Sequence, residues 1–254
     1  MSGIERITAS DAHRINAILN HPEVRPWVAD VAEGVLDITP QLMMTSNVCL
    51  MSEHGGCFFF RLMQGIYEVH TQVLPAGRGA WAKNFTREAA HWMFTHTEAF
   101  ELLTRVPHGH IAAKAATLAV GATKEFTGMV PCRFRGRETR VDIYRLSLQE
   151  WVMNTPELAE RGAWLHERLH QEADRLGITA PPHAEDEGHN RYAGACIAMA
   201  MNGQVRKAVA FYNRWALLSR HRTIAFVSDD PPVIRFDLGD LKLVNGNDVE
   251  VVQL

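Results

Sequence analysis

The stretch Ile66–Gly121 decides the fold of this chain. It opens with Ile66-Tyr-Glu-Val-His-Thr-Gln-Val-Leu-Pro75, in which apolar and polar residues alternate, and continues through Ala76-Gly-Arg-Gly79. Alternation of this kind predicts a strand, and Pro75 ends it because proline cannot donate to the hydrogen-bond ladder. Apolar residues then recur every three or four positions up to His96, which predicts a helix. A glycine turn before a helix N-terminus favours an anion, since unpaired amides and the helix dipole attract negative charge.

The second part of the stretch repeats this arrangement in a shorter form. Leu102, Leu103 and Val106 predict a short buried strand just before a proline. Small apolar residues from Ile111 onward predict a second helix, and Gly121 fits its C-terminal cap. The predicted order is therefore strand, glycine turn, helix, strand, helix.

The flanking sequence predicts further strands and helices. The Ser147-x-x-Glu150 pattern is a capping box that opens a helix, and Asn245-Gly246 lies between two alternating runs, as in a hairpin. Apolar or alternating runs predict strands at 47–51, 57–62, 122–128, 139–146, 223–227, 233–236, 241–244 and 249–252. Apolar stripes predict helices at 10–19, 155–177, 192–201 and 204–220. We predict an α+β fold: a mixed, mostly antiparallel sheet flanked by helices, then a helix pair and a small β-meander.

The order of these elements, with Val-Pro107 just before the second helix and Gly121 just after it, resembles the GNAT acyltransferase superfamily. The similarity is greatest to the branch that acetylates protein N-termini and similar amines, and it covers Ile4 to Trp151. The segment Asn20-His-Pro-Glu-Val-Arg-Pro-Trp27 also looks like the opening of GNAT proteins, where it roofs the acceptor site. The resemblance therefore implies a GNAT-like fold for somewhat over half of the chain.

The resemblance also implies a site for acetyl-CoA. In the family, a turn with the pattern Q/R-x-x-G-x-G/A binds the cofactor's pyrophosphate, and an asparagine starts the second helix, where this chain has His110. This chain has Ala76 where Gln or Arg is expected and Trp81 where the second Gly or Ala is expected. It has Thr117 where the family has a catalytic tyrosine. We therefore expect acetyl-CoA to bind weakly or not at all. The cofactor-binding candidates that the pattern marks are Leu74, Gly77, Arg78, Gly79, Ala80 and His110.

Two catalytic candidates share one face of the predicted strand. Glu68 lies where many GNAT enzymes place the carboxylate that acts through water as the base for the amine, and His70 is two residues away. Successive side chains of a strand alternate between faces, so His70 can shift the pKa of Glu68 or take the role of base itself. The alternative is a buried hydrogen-bond network that fixes the core. The sequence leaves both interpretations open.

Composition limits the other classes of function. The 254 residues carry a net charge of −3, which gives no support to a nucleic-acid or anionic-membrane partner. The four cysteines are widely spaced without a C-x-x-C pair, and no histidine spacing matches a metal motif, so we expect no metal and a reducing compartment. The start Met1-Ser-Gly-Ile lacks an apolar h-region, so we expect no signal peptide and a chain that is cytoplasmic or part of a virion.

Three regions follow from these patterns: a GNAT-like domain at 1–151, a helical connector with an acidic linker at 152–188, and a C-terminal appendage at 189–254. The appendage carries Tyr212 and Trp215, residue types that are enriched in interfaces. The chain also resembles GNAT-like proteins of tailed bacteriophages in its Gly65-Ile-Tyr-Glu-Val-His70 strand, its Gly77-Arg-Gly79 turn followed by Trp81, and its appended tail. We therefore predict a structural or binding component that forms homo-oligomers or contacts phage structural proteins through the appendage. The alternative is an active acetyl-CoA-dependent N-acetyltransferase for a protein or small-molecule amine.

Overall fold

The computed structural model describes residues 3–28, 34–128, 131–135, 137–177, 186–218, 224–229 and 232–236. The chain divides into two compact units. The first consists of Met1–Met93 and Ala99–Trp151, and the second of Phe94–Glu98 and Val152–Leu254.

The described part of the first unit contains nine strands. They are β1 (Glu5–Ile7), β2 (Val48–Ser52), β3 (Gly55–Met63), β4 (Ile66–Val73), β5 (Glu101–Pro107), β6 (Thr123–Thr127), β7 (Cys132–Phe134), β8 (Arg137–Thr139) and β9 (Val141–Ser147). Seven of them form one sheet in the order β1-β2-β3-β4-β5-β9-β6, and β7 and β8 form a separate hairpin. Among the strand pairs of this described sheet, only β4 and β5 are parallel. The predicted mixed, mostly antiparallel sheet is confirmed.

Helices cover the two faces of this sheet. They are α1 (Ala12–Leu19), α2 (Thr39–Leu42), α3 (Ala80–His96), α4 (Ile111–Ala119) and α5 (Leu148–Met153). On one face, Ile15 of α1 joins Phe58 of β3 in an apolar cluster. On the other face, the Trp81 ring of α3 lies against Gly55, the first residue of β3. Because side chains alternate along a strand, Glu68 and Tyr67 of β4 face opposite sides of the sheet.

The predicted local signals account for these helices. In α3, Phe85, Ala89 and Met93 recur at four-residue steps and are buried, so this stripe holds the helix on the sheet. At the start of α5, the backbone amide of Ser147 donates to Glu150 Oε2 at 2.8 Å, and the amide of Glu150 donates to Ser147 Oγ at 3.1 Å. The capping box is therefore formed, and it turns the chain directly from β9 into the helix.

The described residues of the second unit form three helices and a two-stranded hairpin. They are α6 (Glu157–Leu176), α7 (Glu187–Met201), α8 (Val205–Leu218), β10 (Ile224–Asp229) and β11 (Pro232–Phe236). Helices α6 and α7 approach closely, because a Cβ built on Gly162 would lie 1.7 Å from the Asn190 carbonyl oxygen, and one on Gly194 would lie 1.9 Å from that of Leu158. The close contact of α6 and α7 therefore depends on glycine at both Gly162 and Gly194.

Lys207 of α8 donates to the carbonyl oxygens of Phe94 and Thr97 at 2.7 Å.

Helix α7 begins five residues earlier than the pattern predicted. Asp186 caps it by accepting from the Gly188 amide at 2.8 Å, and the buried His189 lies in its first turn. The aromatic pair proposed for an interface packs inside this unit: Tyr212 is fully buried, with its hydroxyl 3.1 Å from His189 Nε2. The predicted strands at 241–244 and 249–252, the Asn245-Gly246 turn and most of the predicted linker lie outside the described residues.

Candidate functional site

The parallel strands β4 and β5 pair at one end and separate at the other. Their register covers Ile66 with Glu101, Tyr67 with Leu102, and Glu68 with Leu103. Beyond these pairs, β4 remains bonded to β3, and β5 remains bonded to β9. The two halves of the sheet therefore open a cleft between the carboxyl ends of β4 and β5.

The turn after β4 leads directly to the N-terminus of α3. Gly79 has a φ of 90°, a conformation that glycine adopts without the steric cost of a Cβ. A helix leaves its first amides without intrahelical partners, and α3 has no acidic residue in its first turn. Within the described chain, no acceptor is recorded for the backbone amides of Gly79 to Ala82. This end of α3 therefore favours a negatively charged group.

The indole of Trp81 lies beneath this turn. It stacks on Phe85 with a centroid distance of 4.9 Å and lies 5.4 Å from the His54 ring. A Cβ on Gly77 would come within 2.8 Å of the indole, so the ring fills the space behind that glycine. The Trp81 ring packs toward β3 and therefore lies away from the amides at the start of α3.

A small cavity lies under α3 and α4, on the sheet face opposite α1. Its volume is about 50 Å³. Its wall includes Val69 and Thr71 of β4 and Thr104 of β5, all beyond the last paired residues, as well as Thr117 of α4. The residues that line the cavity are mainly apolar or hydroxylic: Cys57, Phe59, Val69, Thr71, Thr86, Ala90, Leu102, Leu103, Thr104, Thr117, Val120, Ala122, Tyr144 and Leu146. The cavity therefore lies at the point where the cleft opens.

Glu68 lies on the opposite face of the sheet and is held by two side chains. Arg105 Nε donates to Glu68 Oε1 at 2.6 Å, and His70 Nε2 lies 2.9 Å from the same oxygen. Burial would raise the pKa of Glu68, but the hydrogen bonds and charges of His70 and Arg105 outweigh it and hold the pKa below its usual value. The two catalytic candidates, Glu68 and His70, therefore lie together, but the Glu68 carboxylate already accepts a hydrogen bond from Arg105.

His110 caps α4 and joins an aromatic cluster. Its Nδ1 accepts from the Ala113 amide at 3.3 Å, and its ring stacks on Phe134 at 5.2 Å and lies 5.0 Å from Trp27. Arg135 lies over the Trp27 ring at 4.5 Å. Burial lowers the pKa of His110, and the charges of Arg135 and Arg78 lower it further. The segment predicted to roof the acceptor site, the basic hairpin β7–β8 and the start of α4 therefore meet.

The cofactor-binding candidates do not all converge. Arg78 and His110 are close enough for their charges to interact, and the Arg78 guanidinium donates to the Glu23 carbonyl at 2.8 Å. Gly79 and Ala80 lie at the start of α3, whereas Gly77 is buried over Trp81. Leu74 packs with the apolar cluster around α1, away from the helix amides.

Asp142 of β9 is a functional candidate that the sequence analysis missed. It is 1% exposed and accepts from Lys124 Nζ at 2.7 Å, Thr127 Oγ1 at 2.8 Å and His108 Nδ1 at 3.1 Å. Burial opposes ionisation, but the bonds from Lys124, Thr127 and His108 lower its pKa to about 2. The sequence did contain a signal for the burial of Asp142. Because side chains alternate along β9, Asp142 lies on the same face as the buried Tyr144.

The described residues also bear on metal sites and membrane spans. No group of three or more His, Cys, Asp or Glu side chains there is placed to hold a metal ion. None of the helices described has both the length and the apolar character that crossing a membrane requires.

Comparisons with known proteins give structural matches alone. No protein-family model and no curated protein sequence matches the chain. Similar solved structures include a ribosomal-protein-S5-alanine acetyltransferase from Vibrio fischeri, with 13% identity, a TM-score of 0.48, and coverage of 58% of this chain and 93% of that one.

Two further acetyltransferases match over the same share of the chain. A GNAT-family acetyltransferase from Bacillus anthracis has 12% identity, a TM-score of 0.46, and coverage of 58% and 96%. The spermidine N-acetyltransferase from Vibrio cholerae in complex with CoA and spermine has 11% identity, a TM-score of 0.49, and coverage of 59% and 97%. These values assign neither a substrate nor a reaction to this chain.

Proposed function

We propose that this chain binds an acyl-coenzyme A thioester in the cleft between β4 and β5, and that it transfers the acyl group slowly or not at all. The observation that carries this proposal is the separation of the two strands next to the unobstructed N-terminus of α3. A pantetheine arm is a narrow chain and needs such a gap, whereas a pyrophosphate needs amides and positive charge. Both requirements are met at one end of the sheet.

The residues around the turn fit the anionic end of this cofactor. The amides of Gly79 to Ala82 supply donors, and the helix dipole adds about half a positive charge. Arg78 and Arg135 add cationic charge near the start of α4. When bound, coenzyme A would supply an activated thioester, and the residues of this chain would hold and orient it.

Slow transfer follows from the side chains that face the acceptor side of the cleft. Glu68 shares its charge with Arg105 and His70, and a carboxylate with a lowered pKa is a weaker base. Thr117 stands where the family has a tyrosine that acts as an acid, and a threonine hydroxyl is a much weaker acid. The alternative, an efficient N-acetyltransferase, would require Glu68 to be released from Arg105 during turnover.

Calorimetric titration tests the proposal directly. We expect acetyl-CoA and CoA to bind with dissociation constants in the micromolar range. Ala80→Glu places a carboxylate in the first turn of α3, so it should weaken binding by about tenfold or more while leaving the helix intact. Asn84→Glu, one turn further along, is the matched control and should change affinity little. Absence of binding at millimolar acetyl-CoA would overturn the proposal.

A further inference from the structure

Two side-chain hydrogen bonds bridge β4 and β5 at the point where their pairing ends. The parallel register stops at Glu68 and Leu103. At the next step along the strands, the Thr104 hydroxyl donates to the Val69 carbonyl oxygen at 3.0 Å. Arg105 Nε donates to Glu68 Oε1 at 2.6 Å. The cleft is therefore bridged by side chains at the place where it begins.

The two bridges lie on opposite faces of the sheet. Thr104 and Arg105 are consecutive residues of β5, and consecutive side chains of a strand point to opposite faces. Thr104 and Val69 both line the cavity under α3 and α4, whereas Glu68 lies on the face toward α1. The bond from Thr104 is therefore the bridge on the side of the cavity.

Two other hydroxyls of the cavity wall make bonds that do not cross the gap. Thr86 Oγ1 donates at 2.7 Å to the carbonyl of Ala82, four residues earlier in α3. The Thr71 hydroxyl of β4 lies 3.2 Å from the Sγ of Cys57, its register partner on β3. Of these three hydroxyls, that of Thr104 alone connects β4 with β5.

The cavity behind this bridge is too small for a pantetheine arm. By this measure a single water needs about 10–15 Å³, so about 50 Å³ holds roughly three to five non-hydrogen atoms. The arm is a chain several times longer, and it carries two amide N–H groups. Its entry therefore requires the contacts at the start of the cleft to rearrange. The Val69 carbonyl, which accepts from the side of β5, is the acceptor that an amide of the arm would meet there.

We propose that Thr104 is a latch on the cleft: its hydroxyl occupies the Val69 carbonyl, and the arm of an acyl-coenzyme A binds by displacing it. In the bound state an N–H of the arm would donate to Val69 in place of Thr104. This inference rests on the proposed function, and it adds a residue that regulates the same site. The latch opposes binding, because part of the binding free energy is used to break the bond between the strands.

Titration calorimetry with acetyl-CoA tests the latch. Thr104→Val keeps the shape of the side chain and removes the hydroxyl, so it should bind acetyl-CoA about three- to tenfold more tightly than the wild type. Thr104→Ala, a second variant without the hydroxyl, should also bind more tightly. Thr104→Ser retains the hydroxyl and should keep the wild-type affinity. Thr86→Val is the matched control, because it removes a hydroxyl of the same cavity wall whose bond lies within α3, and its affinity should be unchanged.

Amide hydrogen exchange tests the latch without any ligand. If the Thr104 bond holds the strands together, Thr104→Val should exchange severalfold faster than the wild type in the part of β4 that follows Glu68. Thr86→Val should exchange there at the wild-type rate.

The outcomes separate the latch from the proposed function. If the wild type and Thr104→Val both fail to bind acetyl-CoA at millimolar concentration, the proposed function fails, and the latch fails with it. If the wild type binds and Thr104→Val binds equally or more weakly, only the latch is overturned. Unchanged exchange in Thr104→Val would also overturn it, because the bond would then not restrain the strands.

Discussion

Arg105 Nε donates a hydrogen bond to Glu68 Oε1 over 2.6 Å, across the point where β4 and β5 stop pairing. The bond joins the two halves of the sheet on the face toward α1, while the bond from Thr104 to the Val69 carbonyl joins them at the next step along the strands. Glu68 is 12% exposed, and Arg105 is 56% exposed. The geometry therefore favours a structural role for Glu68, which fixes the mouth of the cleft.

Glu68→Gln distinguishes this role from catalysis. We expect the free energy of unfolding to fall by about 1 kcal/mol, because the charge-assisted bonds to Arg105 and His70 are lost but solvent screens the exposed partners. Any acetyl transfer should change by less than about threefold. Denaturant unfolding and a mass-spectrometric rate measurement on one sample give both quantities. A general base would show the reverse: a rate lower by roughly 10²–10⁴-fold at unchanged stability.

Glu125→Gln is the matched control for Glu68→Gln. Glu125 accepts from Arg145 Nε at 2.9 Å, so this variant also loses an arginine partner, but at 37% exposure and away from the cleft. We expect less than about 0.5 kcal/mol of destabilisation from it.

The Asp142 network makes the stability of the first unit depend on pH. The pKa of Asp142 is lowered from 3.8 to about 2 in the folded state, so ionised Asp142 stabilises the fold above pH 3.8, and this contribution is lost as the pH falls through about 2. Asp142→Asn should lower the free energy of unfolding by about 2 kcal/mol at pH 7 and by less at pH 3. Urea unfolding at both values measures the difference.

Glu138→Gln provides the reference for this pH series. Glu138 lies on the exposed strand β8, so its substitution should leave the free energy of unfolding nearly unchanged at both values. An Asp142→Asn difference that is independent of pH would contradict the assigned network.

The close contact of α6 and α7 predicts a strong effect of a single methyl group. Gly194→Ala would place a Cβ 1.9 Å from the Leu158 carbonyl oxygen, so the helices must move apart, at a cost of about 1–3 kcal/mol. Gly188→Ala in the same helix is the control, because its nearest neighbour would be a side-chain oxygen, Asp186 Oδ1, at 3.2 Å and not a backbone carbonyl. Thermal unfolding of the two variants should differ clearly, and equal midpoints would contradict the observed packing.

The sequence predicted those parts of the fold whose signals are local. Alternation in β4, the apolar stripe of α3 and the Ser147–Glu150 capping box each depend on neighbouring residues, and each formed as expected. The start of α7 was placed late, because the signal from Asp186 is one capping side chain, and the first turn is polar although His189 within it is buried. The burial of the polar His189 depends on which helices pack against α7, and the local sequence of α7 does not show this.

The sequence predicted the local positions of the site candidates but not their contacts. It placed Glu68 on a strand, Gly79 in the turn before a helix and His110 at the start of the next helix, and their roles in a site stay predictions. It could not show that Arg105, 37 positions away, engages Glu68, or that the Trp81 ring turns beneath Gly77. The bond from Thr104 to the Val69 carbonyl was equally hidden, because it joins two strands whose separation the sequence does not show.

The last prediction concerns assembly through the second unit. Tyr212 and Trp215 pack around His189 inside that unit, so an interface needs other residues. Trp164 of α6 is 55% exposed, and large exposed aromatic side chains are enriched in interface cores. We therefore expect the full chain to have at least twice its 28.5 kDa mass in solution. Trp164→Glu should reduce it to a monomer without unfolding it.

Phe100→Glu is the control for this prediction. It changes an aromatic side chain of the first unit that is 47% exposed, and it should leave the mass unchanged. Light scattering measures all three proteins, and a monomeric wild type would rule out self-assembly through this surface.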